Sequence, residues 1–257
     1  MFAIERIRII KNYLVKDHKV SVAKLSELLN VTEVTIRRDL EKLESEGFLK
    51  RTHGGAVLIE QDDESLLDDS DEIQDVLLYQ EIADTAFHLV NDGDAIMLIN
   101  GTVNAYIAKA LANHNNLTVV TNDIQIAAAF SHSPTNNLIL LGGDLEENAV
   151  FGQITIDNLK NFSFNHIFIE IDGLSESVGV TVSSTKKATL IHQAVKLAES
   201  VTVVCLSRYF GTNALYRVGK INIAHRVLTD SNLEDKHKNY IYNCNIPLFT
   251  SVDVYEN

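Results

Sequence analysis

The chain has 257 residues, 46% of them hydrophobic, and a formal net charge of −13. That length exceeds one typical domain and can bury a sizeable core, so two domains are expected. The acidity excludes a protein that is basic throughout, but it is unevenly spread: residues 1–57 hold eleven Lys/Arg and eight Asp/Glu, a balance of +3, and the other 200 residues carry −16.

No apolar run approaches bilayer length, and the opening MFAIERIRIIKNYLV is charged at helical intervals where a signal peptide would be apolar. No membrane association and a cytoplasmic location are therefore expected. Cys205 and Cys244 are too far apart to suggest a disulfide framework or a zinc site, and nine scattered histidines lack ligand spacing, so no metal and no cofactor are expected.

The first predicted helix is Glu5 to Lys16, with Ile7, Ile10 and Leu14 on its inner stripe. Ser21 is placed to cap a second, whose apolar residues are Val22, Leu25, Leu28 and Leu29. Asn30-Val31 makes a turn, and Thr32 is positioned to cap a third helix in which Ile36, Leu40 and Leu43 share one buried stripe. Helical rotation then turns Val34, Arg38, Glu41 and Ser45 outward, with Thr35 and Arg37 on the flanks. Gly47 is expected to end this helix, Phe48 to Arg51 to form a strand, and Thr52-His53-Gly54-Gly55 to turn the chain over.

This order of elements defines a winged helix-turn-helix. An arginine on such a helix can grip a guanine edge with two hydrogen bonds, and valine or threonine methyls can touch a thymine methyl. Lys50, Arg51, His53, Gly54 and Gly55 would meet phosphate or a minor groove. The expected DNA-contacting set is therefore Thr32, Val34, Thr35, Arg37, Arg38, Lys50, Arg51, His53, Gly54 and Gly55, with double-stranded operator DNA as the partner. An acidic body joined to a mildly basic reading head disfavours non-specific coating of DNA.

Residues 60–75 hold nine acidic residues in sixteen, which predicts a solvated linker over 58–75 between a domain at 1–57 and another at 76–257. Beyond it, short apolar strands are predicted at Ala95–Ile99, Leu117–Val120, Leu138–Leu141, His166–Ile171, Thr202–Leu206 and Arg226–Thr229. Helices are predicted at Tyr79–Val90, Val103–Asn113, Ile124–Phe130 and Lys186–Glu199. Alternation of this kind predicts an α/β domain with a largely parallel sheet, whose ligands gather at the carboxyl ends of the strands. Asn100, Gly101, Thr102, Asn104, Thr121, Asn122, Gly142, Asp172 and Gly173 follow successive strands there. A glycine followed by a small hydroxyl residue at a helix start offers backbone N–H groups to a phosphate or another oxyanion.

The stretch NVTEVTIRRDLEKLESEGFLKRTHGGAV resembles the DNA-binding signature of the DeoR family of bacterial transcription regulators. VNDGDAIMLINGTVNAYIAKAL, LTVVTND, LILLGGDL, FGQ, IFIEIDGLSESVGVT and HRVLTD resemble, in order, the segments of that family's sugar-phosphate sensor. The resemblance implies a fold similar to ribose-5-phosphate isomerase and CoA-transferase domains, a sugar-phosphate effector, repression of carbohydrate-metabolism genes, and a homodimer or higher homo-oligomer.

The chain departs from the family pattern at several pocket positions. Leu-Asp-Ser-Gly-Thr-Thr is here Leu98-Ile99-Asn100-Gly101-Thr102-Val103, Tyr79 and Ile191 stand at positions of family lysines, and Asp-Ser-Ser-Lys-Phe-Gly is here Leu206-Ser207-Arg208-Tyr209-Phe210-Gly211. Arg208 is a candidate for the missing charge. A regulator with no small-molecule effector is the first alternative. A sugar-phosphate isomerase is the second, although no strand end pairs a base with an orienting carboxylate.

Overall fold

Apolar residues at helical spacing build the N-terminal core. In the computed structural model, which describes residues 6–250 apart from 8, 12, 15–18, 46–47, 53 and 59–68, Ile10, Leu14, Leu25, Leu29, Ile36, Leu40, Leu43 and Leu49 are buried together. Ile10 and Leu14 come from the leading helix, whose described residues include Arg6, Ile7, Ile9–Lys11, Tyr13 and Leu14. Strand β1, Lys19–Ser21, leads into helix α1, Val22–Leu29, and Ser21 caps α1 by accepting from the Lys24 amide at 3.2 Å. Asn30 ends it in the left-handed region at φ 50, a conformation that asparagine tolerates better than most residues. Helix α2 is Glu33–Ser45, and β2, Leu49–Thr52, with β3, Gly55–Leu58, completes a three-stranded antiparallel sheet in the order β1-β3-β2. The winged helix-turn-helix therefore carries a strand, β1, that its three residues did not announce in sequence. Leu28 is 47% exposed instead of joining the α1 stripe. The expected helix end at Gly47 and the wing residue His53 lie outside the described residues.

The chain divides between Leu77 and Leu78 into two compact units. Helix α3, Asp69–Phe87, spans that division. The described end of the predicted linker, 69–75, is thus helical; acidic residues are favoured in a first helical turn, so a charge run does not exclude a helix.

The second unit is built on seven parallel strands: β4 Ala95–Leu98, β5 Thr118–Thr121, β6 Asn137–Leu140, β9 Phe164–Glu170, β12 Ala198–Val204, β14 Arg226–Leu228 and β15 Leu248–Phe249, in the order β15-β14-β12-β9-β4-β5-β6. Burial of both faces explains their near-continuous apolar runs. One face packs Ile96, Leu98, Phe168 and Val204 against Ile82 and Ala86 of α3 and Ile107 of helix α4, Thr102–Leu111. The other packs Met97, Ile167, Ile169 and Val203 with Leu190 and Ile191 of helix α7, Thr185–Ala194. Helix α5 is Ile124–Phe130 and α6 is Gln153–Leu159. The predicted helix to Glu199 ends earlier, because Ala198 and Glu199 already belong to β12. A hairpin, β7 Asp144–Glu146 with β8 Ala149–Phe151, and a small antiparallel sheet of β10 Gly173–Ser175, β11 Gly179–Val182 and β13 Tyr216–Gly219 are further elements. Among the described residues no helix is long and apolar enough to cross a membrane.

Candidate functional site

The first polar surface is the outer face of α2. Thr32 accepts from the Thr35 amide at 3.3 Å, so it caps the helix as its position predicts, and its hydroxyl lies 3.0 Å from that of Thr35. Val34 is 62% exposed, although burial of a valine is normally favourable. Arg37 is exposed and pairs with Glu33 at 3.1 Å one turn back. Arg38 is also exposed and makes no ion pair or hydrogen bond among the described residues. Beneath this face Asp39 is buried and accepts two hydrogen bonds from Arg6, at 2.8 and 3.2 Å, tying α2 to the leading helix.

The wing residues divide by role. Lys50 is exposed. Arg51 is committed to α2: its guanidinium meets Glu41 at 2.8 Å and its backbone amide donates to Glu44 at 2.9 Å. Gly54 is exposed, and its carbonyl accepts from Val22 at 2.9 Å. Gly55 is not a surface residue: it is buried in the β1–β3 ladder, where a β-carbon would overlap the Val20 carbonyl. The close approach of the two strands requires glycine there.

The second polar surface lies at the carboxyl ends of the parallel strands. Asn122 is fully buried; its Oδ1 accepts from the Asn100 amide at 2.9 Å, and its Nδ2 donates to the Asn100 Oδ1 at 3.4 Å and the Val150 carbonyl at 3.2 Å. Thr121 donates to the Leu98 carbonyl at 2.8 Å. Asn104 donates to the Ile99 and Phe168 carbonyls at 2.8 and 3.1 Å, while its Oδ1 is buried with no hydrogen-bond partner among the described residues. Asn100, Thr121, Asn122 and Asn104 therefore knit β4, β5 and β9 together. Asp172 accepts from the Ser183 amide at 2.6 Å.

The other predicted residues lie both in the scaffold and on the surface. Gly173 lies buried in β10 and its carbonyl accepts from Thr181 at 3.0 Å. Gly142 is exposed, and its carbonyl accepts from Thr155 of α6 at 2.8 Å. Thr102 is exposed in the first turn of α4. Arg208 is exposed on a short 3-10 turn, its guanidinium 5.8 Å from the centre of the Tyr209 ring. Ile99, Ile191 and Leu206 belong to the cores, and the Tyr79 ring meets that of Tyr106 in a tilted contact, centroids 5.2 Å apart.

Two residues at the centre of this surface were absent from the predicted set. Helix α4 starts at Gly101 with no side-chain cap, and the Asn104 amide of its first turn instead donates to the Glu170 carboxylate at 3.0 Å. A β-carbon at Gly101 would overlap that carboxylate. Burial pushes the Glu170 carboxyl above its ordinary pKa, opposed by the charge of Lys187 and by the α4 amides. Lys187 is itself buried, and its charge also opposes the upward shift that burial gives Asp123, the cap of α5. Lys187 and Ile191 are one turn apart on α7 and share a face, so the cation enters the site from one turn earlier than the resemblance implies. The available signal was a lysine in the first turn of a helix whose other inward residues are apolar.

A winged helix with an exposed reading face, joined in one chain to a parallel α/β unit, defines a transcription regulator. Family profiles agree: the DeoR-like helix-turn-helix domain matches residues 6–62 and the DeoR C terminal sensor domain matches residues 79–231. The chain belongs to the DeoR family, and it is a sequence-specific DNA-binding regulator, not an enzyme. Bacillus subtilis (strain 168) has an uncharacterized HTH-type transcriptional regulator, YulB, that is 32% identical over 217 residues, 84% of each chain. A putative aga operon transcriptional repressor of Escherichia coli O157:H7 is 28% identical over 204 residues, 77% of this chain and 76% of the relative. Among solved structures, ribose 5-phosphate isomerase A from Methanocaldococcus jannaschii aligns with a TM-score of 0.39 at 14% identity, over 51% of this chain and 53% of that one.

Proposed function

We propose that the chain is a cytoplasmic repressor of carbohydrate-metabolism genes that binds operator DNA through α2 and the β2–β3 wing and is released by a sugar-derived metabolite at the strand ends. The observation that carries the DNA-binding part is the outer face of α2, where Val34, Arg37 and Arg38 are exposed and Thr35 is half-buried, with Lys50 exposed on β2. On this reading residues 1–57 bind DNA, 58–75 connect, and 76–257 sense and assemble. Operator half-sites mirror protein symmetry, so the active form is a homodimer or higher homo-oligomer. The relative named as a repressor of the aga operon supports a carbohydrate regulon.

The mechanism is linkage. A metabolite that binds the DNA-incompetent arrangement more tightly lowers operator affinity by its differential binding energy, typically about 5–150-fold. Selection of bound fragments from the chromosome identifies the operator, and Arg38→Ala then tests the interface. Specific affinity is expected to fall while the far-UV spectrum stays unchanged; unchanged affinity removes Arg38 from the contact set. A regulator with no small-molecule input is the second reading, favoured by the extent to which the strand-end polar groups satisfy one another.

A further inference from the structure

The start of α4 is where a helix offers backbone N–H groups to an anion, and in this chain the anion is already there. We infer that Glu170 is a built-in substitute for a ligand phosphate: it fills the anion seat at Gly101–Asn104, so the effector site takes a ligand that brings no phosphate to this seat. The inference rests on reading the strand ends as the effector site.

Four observations support it. The Asn104 amide donates to Glu170 at 3.0 Å, which uses a donor that an exogenous oxyanion would need. Gly101 has no side chain, and the space its β-carbon would fill holds the Glu170 carboxylate, so a phosphate and this carboxylate exclude each other. Lys187 is buried, with its charge acting on Glu170 and Asp123, whereas a phosphate-binding lysine presents its charge to the ligand. Finally, Asp172 stands two residues from Glu170 and acts on it as a like charge, so a dianion arriving here meets a locally acidic surface. Removing the Glu170 carboxylate would leave the Asn104 amide without its acceptor and the Lys187 charge with Asp123 alone, and free helix amides near a cation are what an oxyanion binds.

The test is titration of the full-length chain with inorganic phosphate, read by calorimetry and by thermal unfolding against potassium chloride of equal ionic strength. Wild type is expected to show no saturable binding. Glu170→Ala is expected to bind phosphate at least about tenfold more tightly than wild type, and Glu170→Ala/Lys187→Met is expected to lose that gain. Saturable phosphate binding by wild type, or a folded Glu170→Ala chain that gains none, overturns the inference. Should Glu170→Ala not fold, Glu170→Gln keeps the side-chain volume and removes the charge. Its effect on unfolding is expected to be non-additive with that of Lys187→Met, and additivity would show that the two charges are not a pair. Operator binding by wild type is measured separately: its loss would refute the proposed function, whereas the phosphate titration addresses Glu170 alone.

Discussion

The two polar surfaces of this chain treat their charges in opposite ways. On α2, Arg38 is exposed and its side chain makes no hydrogen bond or ion pair among the described residues, and Val34 is 62% exposed beside it. At the strand ends the charged and amide groups are turned on one another: Glu170 caps α4, Asp172 takes the Ser183 amide, Asn122 bridges to Asn100, and Lys187 is buried. If α2 reads DNA as proposed, its polar groups wait in water, where they lose little. The strand ends are partly dry, and there an unmatched charge is expensive, so the chain supplies internal matches.

The largest expected effect breaks the reading surface through its scaffold. Gly55→Ala places a methyl group on the Val20 carbonyl inside the β1–β3 ladder, and backbone does not yield as a flexible side chain would. Destabilisation on the order of 4 kcal/mol is expected, with loss of operator binding at temperatures where wild type binds. A melting curve indistinguishable from wild type would mean that the wing rearranges freely. Next comes Arg38→Ala, expected to cost about 1–3 kcal/mol of operator affinity, because a side chain that reads a base edge loses that discrimination when truncated. Measured on operator and on unrelated DNA, the loss should fall on the operator; an equal loss on both would make Arg38 a phosphate contact.

A smaller effect separates two neighbours that look alike in sequence. Lys50 is exposed, whereas Arg51 is held by Glu41 at 2.8 Å. Lys50→Ala is expected to weaken binding to all DNA and to reduce the magnitude of the salt slope by about one. Arg51→Ala is expected to leave that slope nearly unchanged and to alter stability by about 0–1 kcal/mol, the range of an exposed ion pair. The reverse result would show that Glu41 releases Arg51 to the DNA.

The same contrast explains what was legible in the sequence. The reading surface is local: a cap at Thr32, a stripe at Ile36, Leu40 and Leu43, and outward residues between them all follow from one helical period. Six of the seven parallel strands were also readable, because a short apolar run between amphipathic helices fits a strand covered on both faces; β15 is two residues long and offers no period. The strand-end site is assembled from residues far apart in sequence. Glu170 meets Asn104 across 66 residues, and Lys187 enters from α7. In sequence Glu170 is a single polar residue between Ile169 and Ile171, and Lys187 one of two adjacent lysines. Turn-forming glycines and asparagines marked where the loops are, but the charged residues beside them, Glu170 and Lys187, came from elsewhere.

The smallest effect asks whether acid sensitivity belongs to this site or to the scaffold beneath it. His166 lies near the amino end of β9, the opposite end from Glu170, with Nε2 3.4 Å from Asp94 and Nδ1 buried without a hydrogen-bond partner among the described residues. Burial lowers its pKa from the ordinary 6.5, partly opposed by the charge of Asp94. A histidine held neutral by the fold binds its proton more readily when the chain unfolds. Its contribution to stability is therefore complete above the unfolded value and is lost as pH falls through the folded one. His166→Gln is expected to flatten the decline in unfolding temperature of wild type below pH 6.5. If the decline is unchanged in His166→Gln, the acid response lies elsewhere. Because Glu170 is shifted upward by burial, its removal should act with the opposite sign: the variant should gain on wild type as pH rises. The direction of the pH effect therefore tells the two ends of one strand apart.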